Sequence, residues 1–209
     1  ATFTGKNGFA FFYPAESNVQ SLNDLAGKTI VVSPASFDTL LYPAVLASVG
    51  LPPDLMRRVN VDPAQKVSTF IRGQADVVVT HYAGSYPPIE AQRKVRYTPW
   101  SSTGFVLPDF CLAVTRQRLE KEPEFVEKFL HATYAATRDA AAKPADAATA
   151  SVEYVPLLDR AMTEKQWRLM TELFFTEDTK SCPHGWHSAS DWAKALETLK
   201  KFGNLQGDI

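Results

Sequence analysis

Two unbroken β-branched runs, Thr29-Ile30-Val31-Val32 and Val77-Val78-Val79, constrain the fold more than anything else in the chain. Such runs, with no polar alternation, are the pattern of strands buried on both faces of a sheet with parallel neighbours. The first is entered at Gly27-Lys28 and left at Ser33-Pro34-Ala35-Ser36. The second is entered at Ala75-Asp76 and left at Thr80-His81-Tyr82-Ala83-Gly84. A helix is predicted from about Asp38 to Val49, with Gly50 as its left-handed exit. Met56–Val61 reads as a further strand, Asp62-Pro63 as an N-cap with a first-turn proline, and Gly73 as the stop of that helix. Lys94–Trp100 reads as a shorter strand, and Asn7–Pro14, rich in aromatics and closed by Pro14, as another. Residues 28 to 100 therefore alternate strand and helix, which is the pattern of a parallel α/β layer.

Asp109–Thr115 is predicted to add one more strand, after which the chain reads as almost wholly helical. Phe125, Phe129, Ala132, Ala136 and Ala140 recur at helical spacing within residues 122 to 143. The alanine-rich stretch around Lys143-Pro144 reads as a joint between two helices, because periodicity persists on both sides. Thr163 to Gln166 has capping-box spacing ahead of Trp167, Met170, Leu173 and Phe174. Ser188 is placed to cap a last helix running to Phe202 and closed by Gly203.

With 209 residues the chain can bury a sizeable core in one large domain or two small ones. Apolar residues make up 45%, charged residues 22%, and 22 Lys and Arg stand against 23 Asp and Glu for a net charge of −1. No block of like charge predicts a nucleic-acid partner or a membrane surface. No apolar run approaches the length of a membrane span. The two cysteines, Cys111 and Cys182, are too few for a disulfide framework; Cys111, inside Phe110–Val114, is expected to be a buried inert thiol.

The two strand-to-helix turns are the candidate site. In parallel α/β layers the carboxyl ends of strands leave backbone N–H groups unpaired, and a helix N-terminus favours an anion or a polar oxygen. Ser33, Ala35 and Ser36 let a ligand approach the backbone and offer two hydroxyls, although Ser36 alone could simply cap the helix. Thr80, His81 and Tyr82 add a hydroxyl, an imidazole and a ring at the second turn, although a lone histidine is often structural. Cys182-Pro183-His184-Gly185-Trp186-His187 offers a thiol and two imidazoles, but its spacing fits no zinc motif and no second ligand cluster accompanies it. No Gly-x-Ser-x-Gly elbow and no glycine-rich phosphate loop occurs. No metal and no cofactor is predicted.

Asp24-Leu25-Ala26-Gly27-Lys28, Arg72-Gly73-Gln74-Ala75-Asp76, the stretch from 110 to 136 and Ser190-Asp191-Trp192 occur in an order that resembles the solute-binding proteins of ABC importers. The branch is the one for nitrate, sulfonates, taurine and thiamine-precursor pyrimidines. The resemblance implies an α/β, two-lobed periplasmic-binding-protein fold of type II-like topology. It implies a small anionic or heterocyclic ligand trapped between the lobes, and a membrane permease of an ABC importer as partner, with no nucleic acid involved. Localisation would be periplasmic, or extracellular as a membrane-anchored lipoprotein. Family members begin with about ninety further residues, so in this numbering the N-terminal half-lobe is expected to be lacking. Residues 25–100 would form the second lobe, and residues 1–24 with 101–209 the first. Family contacts map onto Ser33, Ala35, Ser36 and Phe37 and onto Thr80, His81 and Tyr82. Hinge-side contacts map to the stretch after Trp100, near Thr103 and Pro108. Phe37, Tyr82 and Trp100 suit stacking on a flat heterocycle. A ligand-sensing module of the same fold is one alternative. A relative of the enzymes that build the thiamine pyrimidine is another, although their Cys-rich motif is not found in this chain.

Overall fold

The computed structural model describes residues 1–34, 36–105 and 107–202. The predicted Gly203 stop and Ala35 lie outside the described residues. The chain divides into two compact units, Ala1–Lys6 with Leu107–Trp192 and Asn7–Val106 with Ala193–Ile209.

The second unit is built on a five-stranded sheet. Its strands are β1 (Phe9–Pro14), β2 (Thr29–Val32), β3 (Arg57–Asn60), β4 (Val77–His81) and β5 (Val95–Pro99), in the order β3-β2-β4-β1-β5. β2 pairs in parallel with β3 and β4, as the β-branched runs predict. Ile30, Val31, Val32, Val77, Val78 and Val79 are all at most 1% exposed. The sheet is not wholly parallel, however. β1 lies antiparallel between β4 and β5, so a strand early in the sequence fills the gap between two later ones. Three helices accompany these strands: α1 (Phe37–Ser48), α2 (Lys66–Ile71) and α3 (Tyr82–Glu90). Gly50 and Gly73 take the left-handed conformation at the predicted helix exits, φ 78° and 73°.

Two of the motifs that carry the resemblance have local physical roles here. Asp24 accepts hydrogen bonds from the N–H groups of Gln20 and Ser21 and from the Ser21 hydroxyl, closing a short 3₁₀ turn over Leu22–Leu25. Asp76 Oδ2 accepts from both the N–H and the hydroxyl of Thr29, each at 2.7 Å, which ties the start of β4 to the start of β2.

The first unit is helical, with α4 (Arg116–Lys121), α5 (Pro123–Ala142), α6 (Pro144–Tyr154) and α7 (Arg160–Thr171). A last helix, α8 (Ala189–Phe202), runs across the division of the chain. The Lys143-Pro144 joint falls between α5 and α6 as expected. Ser188 Oγ accepts from the Asp191 N–H at the start of α8. α7 begins three residues before the predicted capping box: Asp159, not Thr163, accepts the Met162 N–H, and the Thr163 hydroxyl turns back to the Asp159 carbonyl.

Two expectations in this unit are corrected. Asp109–Thr115 is not a strand of a sheet; it makes a single antiparallel bridge, Thr2 with Cys111. A strand needs a partner along its length, and the backbone bonds of this stretch run to the short segment 1–4. Cys111 is accordingly exposed rather than buried, and both cysteines are free thiols. The apolar stripe of α5 is also outward, with Phe125 and Phe129 each 52% exposed and only Ala140 of the five buried.

Candidate functional site

Parallel pairing puts the carboxyl ends of β2, β3 and β4 along one edge of the sheet. β1 runs the other way, so its amino end reaches that same edge, and β5, antiparallel to β1, brings its carboxyl end there too. The register places Phe9 opposite His81, and Ala10 opposite both Thr80 and Pro99. Ser33, Thr80-His81, Asn7-Gly8-Phe9 and Trp100 thus share one edge, where α1 and α3 also begin. Two helix N-termini at one edge favour an anion or a polar oxygen there.

Ser33 is fully buried; its carbonyl accepts from the Ser36 N–H and hydroxyl, and its N–H donates to Thr39 Oγ1. Its own hydroxyl has no partner among the described residues. Ser36 is committed to the turn, since its hydroxyl bonds Ser33 O and Thr39 Oγ1 at 2.8 and 2.7 Å. Phe37 opens α1, is 48% exposed, and lies 5.5 Å from the Phe9 ring. Thr80 shares a hydrogen bond with Ser85 at 2.9 Å. His81 meets Phe9 edge-on at 5.8 Å and stacks on Tyr82 at 6.2 Å. Tyr82 is buried, stacked on Tyr97, and its N–H donates to the Gly8 carbonyl at 2.7 Å.

Trp100 is also fully buried, packed against Phe9, Phe11 and Phe105. Protein rings surround it, and its Nε1 has no partner among the described residues. The Thr103 hydroxyl turns back to the Trp100 carbonyl at 2.7 Å. Pro108 belongs to the helical unit, beside Thr2, Gly5 and Thr179.

Sequence reasoning missed Asn7 and Gly8. Asn7 is 1% exposed, and its Oδ1 accepts the Phe9 N–H at 2.9 Å. That bond fixes which way the amide faces, and its Nδ2 is left without a partner among the described residues. Gly8 has no room for a side chain, because a Cβ there would sit 2.2 Å from His81 Nε2. The Asn-Gly pair in the sequence was a usable signal of close backbone approach, but only with knowledge that β1 lies against β4. The cation at the start of α2, Lys66, is buried and bonded to Asp38 of α1.

A separate hollow of about 740 Å³ lies within the helical unit, among Tyr134, Phe174, Phe175, Cys182, His184 and Trp186. None of the unpartnered buried polar atoms lines it. The sheet edge, which holds three of them, is therefore the better candidate. His184 and His187 are held by Phe3 O and by Thr2 Oγ1 with Trp192 Nε1. No group of three His, Cys, Asp or Glu side chains placed to hold a metal ion occurs among the described residues. No helix among them is long and apolar enough to cross a membrane.

Among curated proteins, none matches the chain. Among solved structures, the alkanesulfonate-binding protein SsuA from Xanthomonas axonopodis pv. citri, bound to MOPS, is similar with a TM-score of 0.68 at 18% identity, over 96% of this chain and 65% of that one. The periplasmic aliphatic sulphonate binding protein SsuA from Escherichia coli gives 0.74 at 15% identity, over 97% and 64%. A sulfonate-binding SsuA from Methylobacillus flagellatus KT, described as a putative transporter component, gives 0.57 at 13%, over 96% and 60%. The chain therefore spans less than two thirds of the length of these structures, and shares their periplasmic-binding-protein fold over that part. The family model described as NMT1/THI5 like matches residues 1–147. That match covers more than half of the 209 residues, and the chain belongs to the NMT1/THI5-like family.

Proposed function

We propose that the protein captures a small solute at the carboxyl edge of its sheet, outside the cytoplasmic membrane, delivers it to the permease of an ABC importer, and performs no chemistry on it. One observation carries this reading. Asn7 Nδ2, Ser33 Oγ and Trp100 Nε1 are buried at one sheet edge without partners among the described residues. Each such group costs about 1–3 kcal/mol when left unpaired. A fold that bears three of them together is explained by a visitor that satisfies them.

Asn7 Nδ2 and Trp100 Nε1 only donate, and the Ser33 hydroxyl can. The buried end of the ligand is therefore rich in acceptors. The N-termini of α1 and α3 favour an oxyanion over a neutral heterocycle at that end, and Lys66 is already engaged with Asp38. Recognition through neutral donors and helix ends suits a weakly hydrated head such as a sulfonate. The exposed Phe37 ring is the surface left for the remainder of the molecule. The sulfonate ligands named for the structural relatives support the same choice.

The test is calorimetric titration of protein stripped of ligand by unfolding, dialysis and refolding. Ethanesulfonate, MOPS and an aminopyrimidine are the probes. A sulfonate is expected to bind, and Asn7→Asp, which keeps the bond to the Phe9 N–H but replaces the donor by a negative oxygen, should weaken it by more than tenfold. Binding of the aminopyrimidine alone would overturn the oxyanion reading. Sulfonate binding indifferent to Asn7→Asp would mean that the site lies elsewhere.

A further inference from the structure

Two opposite charges meet beside Ser33. Val32 is paired with Asn60, and the Val61 N–H donates to the Val32 carbonyl at 3.0 Å, so the chain leaving β3 runs alongside the turn that holds Ser33. It continues through a 3₁₀ turn, Pro63–Gln65, to Lys66, the first residue of α2. Asp38 approaches from the other side, in the first turn of α1, next to Thr39, whose Oγ1 accepts the Ser33 N–H at 3.3 Å. Lys66 Nζ donates to Asp38 Oδ2, and the two residues are 8% and 6% exposed. Stability does not account for such a pair. Withdrawing both charges from water costs about as much as their attraction returns, and apolar residues of similar volume do as well or better. The pair stands, however, where it decides what charge the sheet edge presents around the Ser33 hydroxyl, which is buried without a partner among the described residues.

We propose that Asp38 is a specificity-determining residue: its carboxylate withholds Lys66 from the solute, so that the edge accepts a singly charged head such as a sulfonate and rejects a dianion of similar shape such as sulfate. The inference rests on the capture of a solute at that edge, and it names a charge class that the three unpartnered groups do not. A lone buried cation would favour the most highly charged oxyanion available, because its attraction grows with the charge it faces. Paired with Asp38, Lys66 adds no net charge. A second negative charge on the solute would then lose its water without gaining a cation, and the Asp38 carboxylate repels it as well. One charge is what neutral donors and the helix ends of α1 and α3 are left to hold.

The experiment is calorimetric titration of the whole stripped chain with ethanesulfonate and with sulfate, at neutral pH and constant ionic strength. The parent should bind ethanesulfonate about tenfold or more tightly than sulfate. Asp38→Asn keeps an acceptor for Lys66 but removes the negative charge, and should move the ratio of the two affinities about tenfold or more toward sulfate. Lys66→Met leaves the carboxylate alone and should move the ratio the other way, so either variant reads the proposal if the other fails to fold. With Lys66→Met and Asp38→Leu combined, both charges go and the ratio should return to that of the parent. Loss of packing alone would weaken both probes alike and leave the ratio where it was. A parent that binds sulfate as tightly as ethanesulfonate overturns the proposal. So does a ratio unmoved in variants that fold and bind ethanesulfonate, or a gain for sulfate that survives in the double variant. A parent that binds neither anion removes the capture reading itself, and this inference with it.

Discussion

Ser33→Ala should make the ligand-free protein more stable and the ligand-binding protein worse. The substitution removes one oxygen from a fully buried residue and leaves its backbone bonds to Ser36 and Thr39 in place. That oxygen has no partner, so its desolvation is uncompensated in the empty site. Removing it should recover about 1–2 kcal/mol of the penalty for an unsatisfied buried hydroxyl. In a chain of this length that raises Tm by about 2–8 °C. With the ligand bound the sign reverses. A hydrogen bond to a charged group contributes about 1.5–3 kcal/mol, so affinity for an oxyanion should fall about 10- to 100-fold. Differential scanning fluorimetry on stripped protein gives the first number, and titration with ethanesulfonate the second. If the stripped Ser33→Ala protein melts lower than the parent, the hydroxyl is satisfied within the folded chain and is not held for a ligand. Unpartnered donors at the sheet edge would then be no sign of solute capture.

Gly8→Ala places a methyl 2.2 Å from His81 Nε2 and should cost about 1–3 kcal/mol, with the His81 ring resonances shifting in NMR spectra; unchanged resonances would mean that the ring is not pinned there. Lys66→Met leaves the buried Asp38 carboxylate uncompensated and should cost about 3–5 kcal/mol, whereas Lys66→Met with Asp38→Leu should recover most of the loss, as judged by urea unfolding of the set. For Asp76, partial burial pushes the carboxyl up, but the Thr29 N–H and hydroxyl, helped by Lys28 and Arg57, hold it below its ordinary value overall. Its contribution is therefore present above the unfolded carboxylate pKa of about 3.9 and is lost as pH falls through the lower folded value. Asp76→Asn should flatten this part of the acid-unfolding curve, and an unchanged acid limb would show that the Thr29 link carries no charge dependence.

Much of the sheet could be read from residues alone, because burial on both faces leaves a mark that half-buried strands do not. β2 and β4 carry it, and the turns after them bring Ser33, Thr80 and His81 to one sheet edge. The place of β1 could not be read. Nothing local in Phe9–Pro14 says that it runs backwards between β4 and β5, and so nothing brought Asn7 and Gly8 to the site. Trp100 reads from the sequence as a stacking ring, but contacts distant in sequence bury it among Phe9, Phe11 and Phe105 and leave its N–H without a partner among the described residues. The helical spacing of residues 122 to 143 is met by α5, whereas the Asp109–Thr115 strand is a failure of another kind. The apolar pattern there is sound, but a pattern reports the need for a partner and not its presence.

The antiparallel insertion of β1 also sets an order in time. Phe11 and Phe12 have no exposure in the folded chain, yet the strands that cover their edges, β4 and β5, are made about seventy residues or more later. At translation rates of about 5–20 residues per second, this apolar segment waits roughly 4–14 s without a partner. During that interval it is a natural target for chaperones and a natural liability for misassembly. The sheet edge with Asn7, Ser33 and Trp100 cannot exist until Trp100 itself has been synthesised, so solute can assist no step of folding that precedes it.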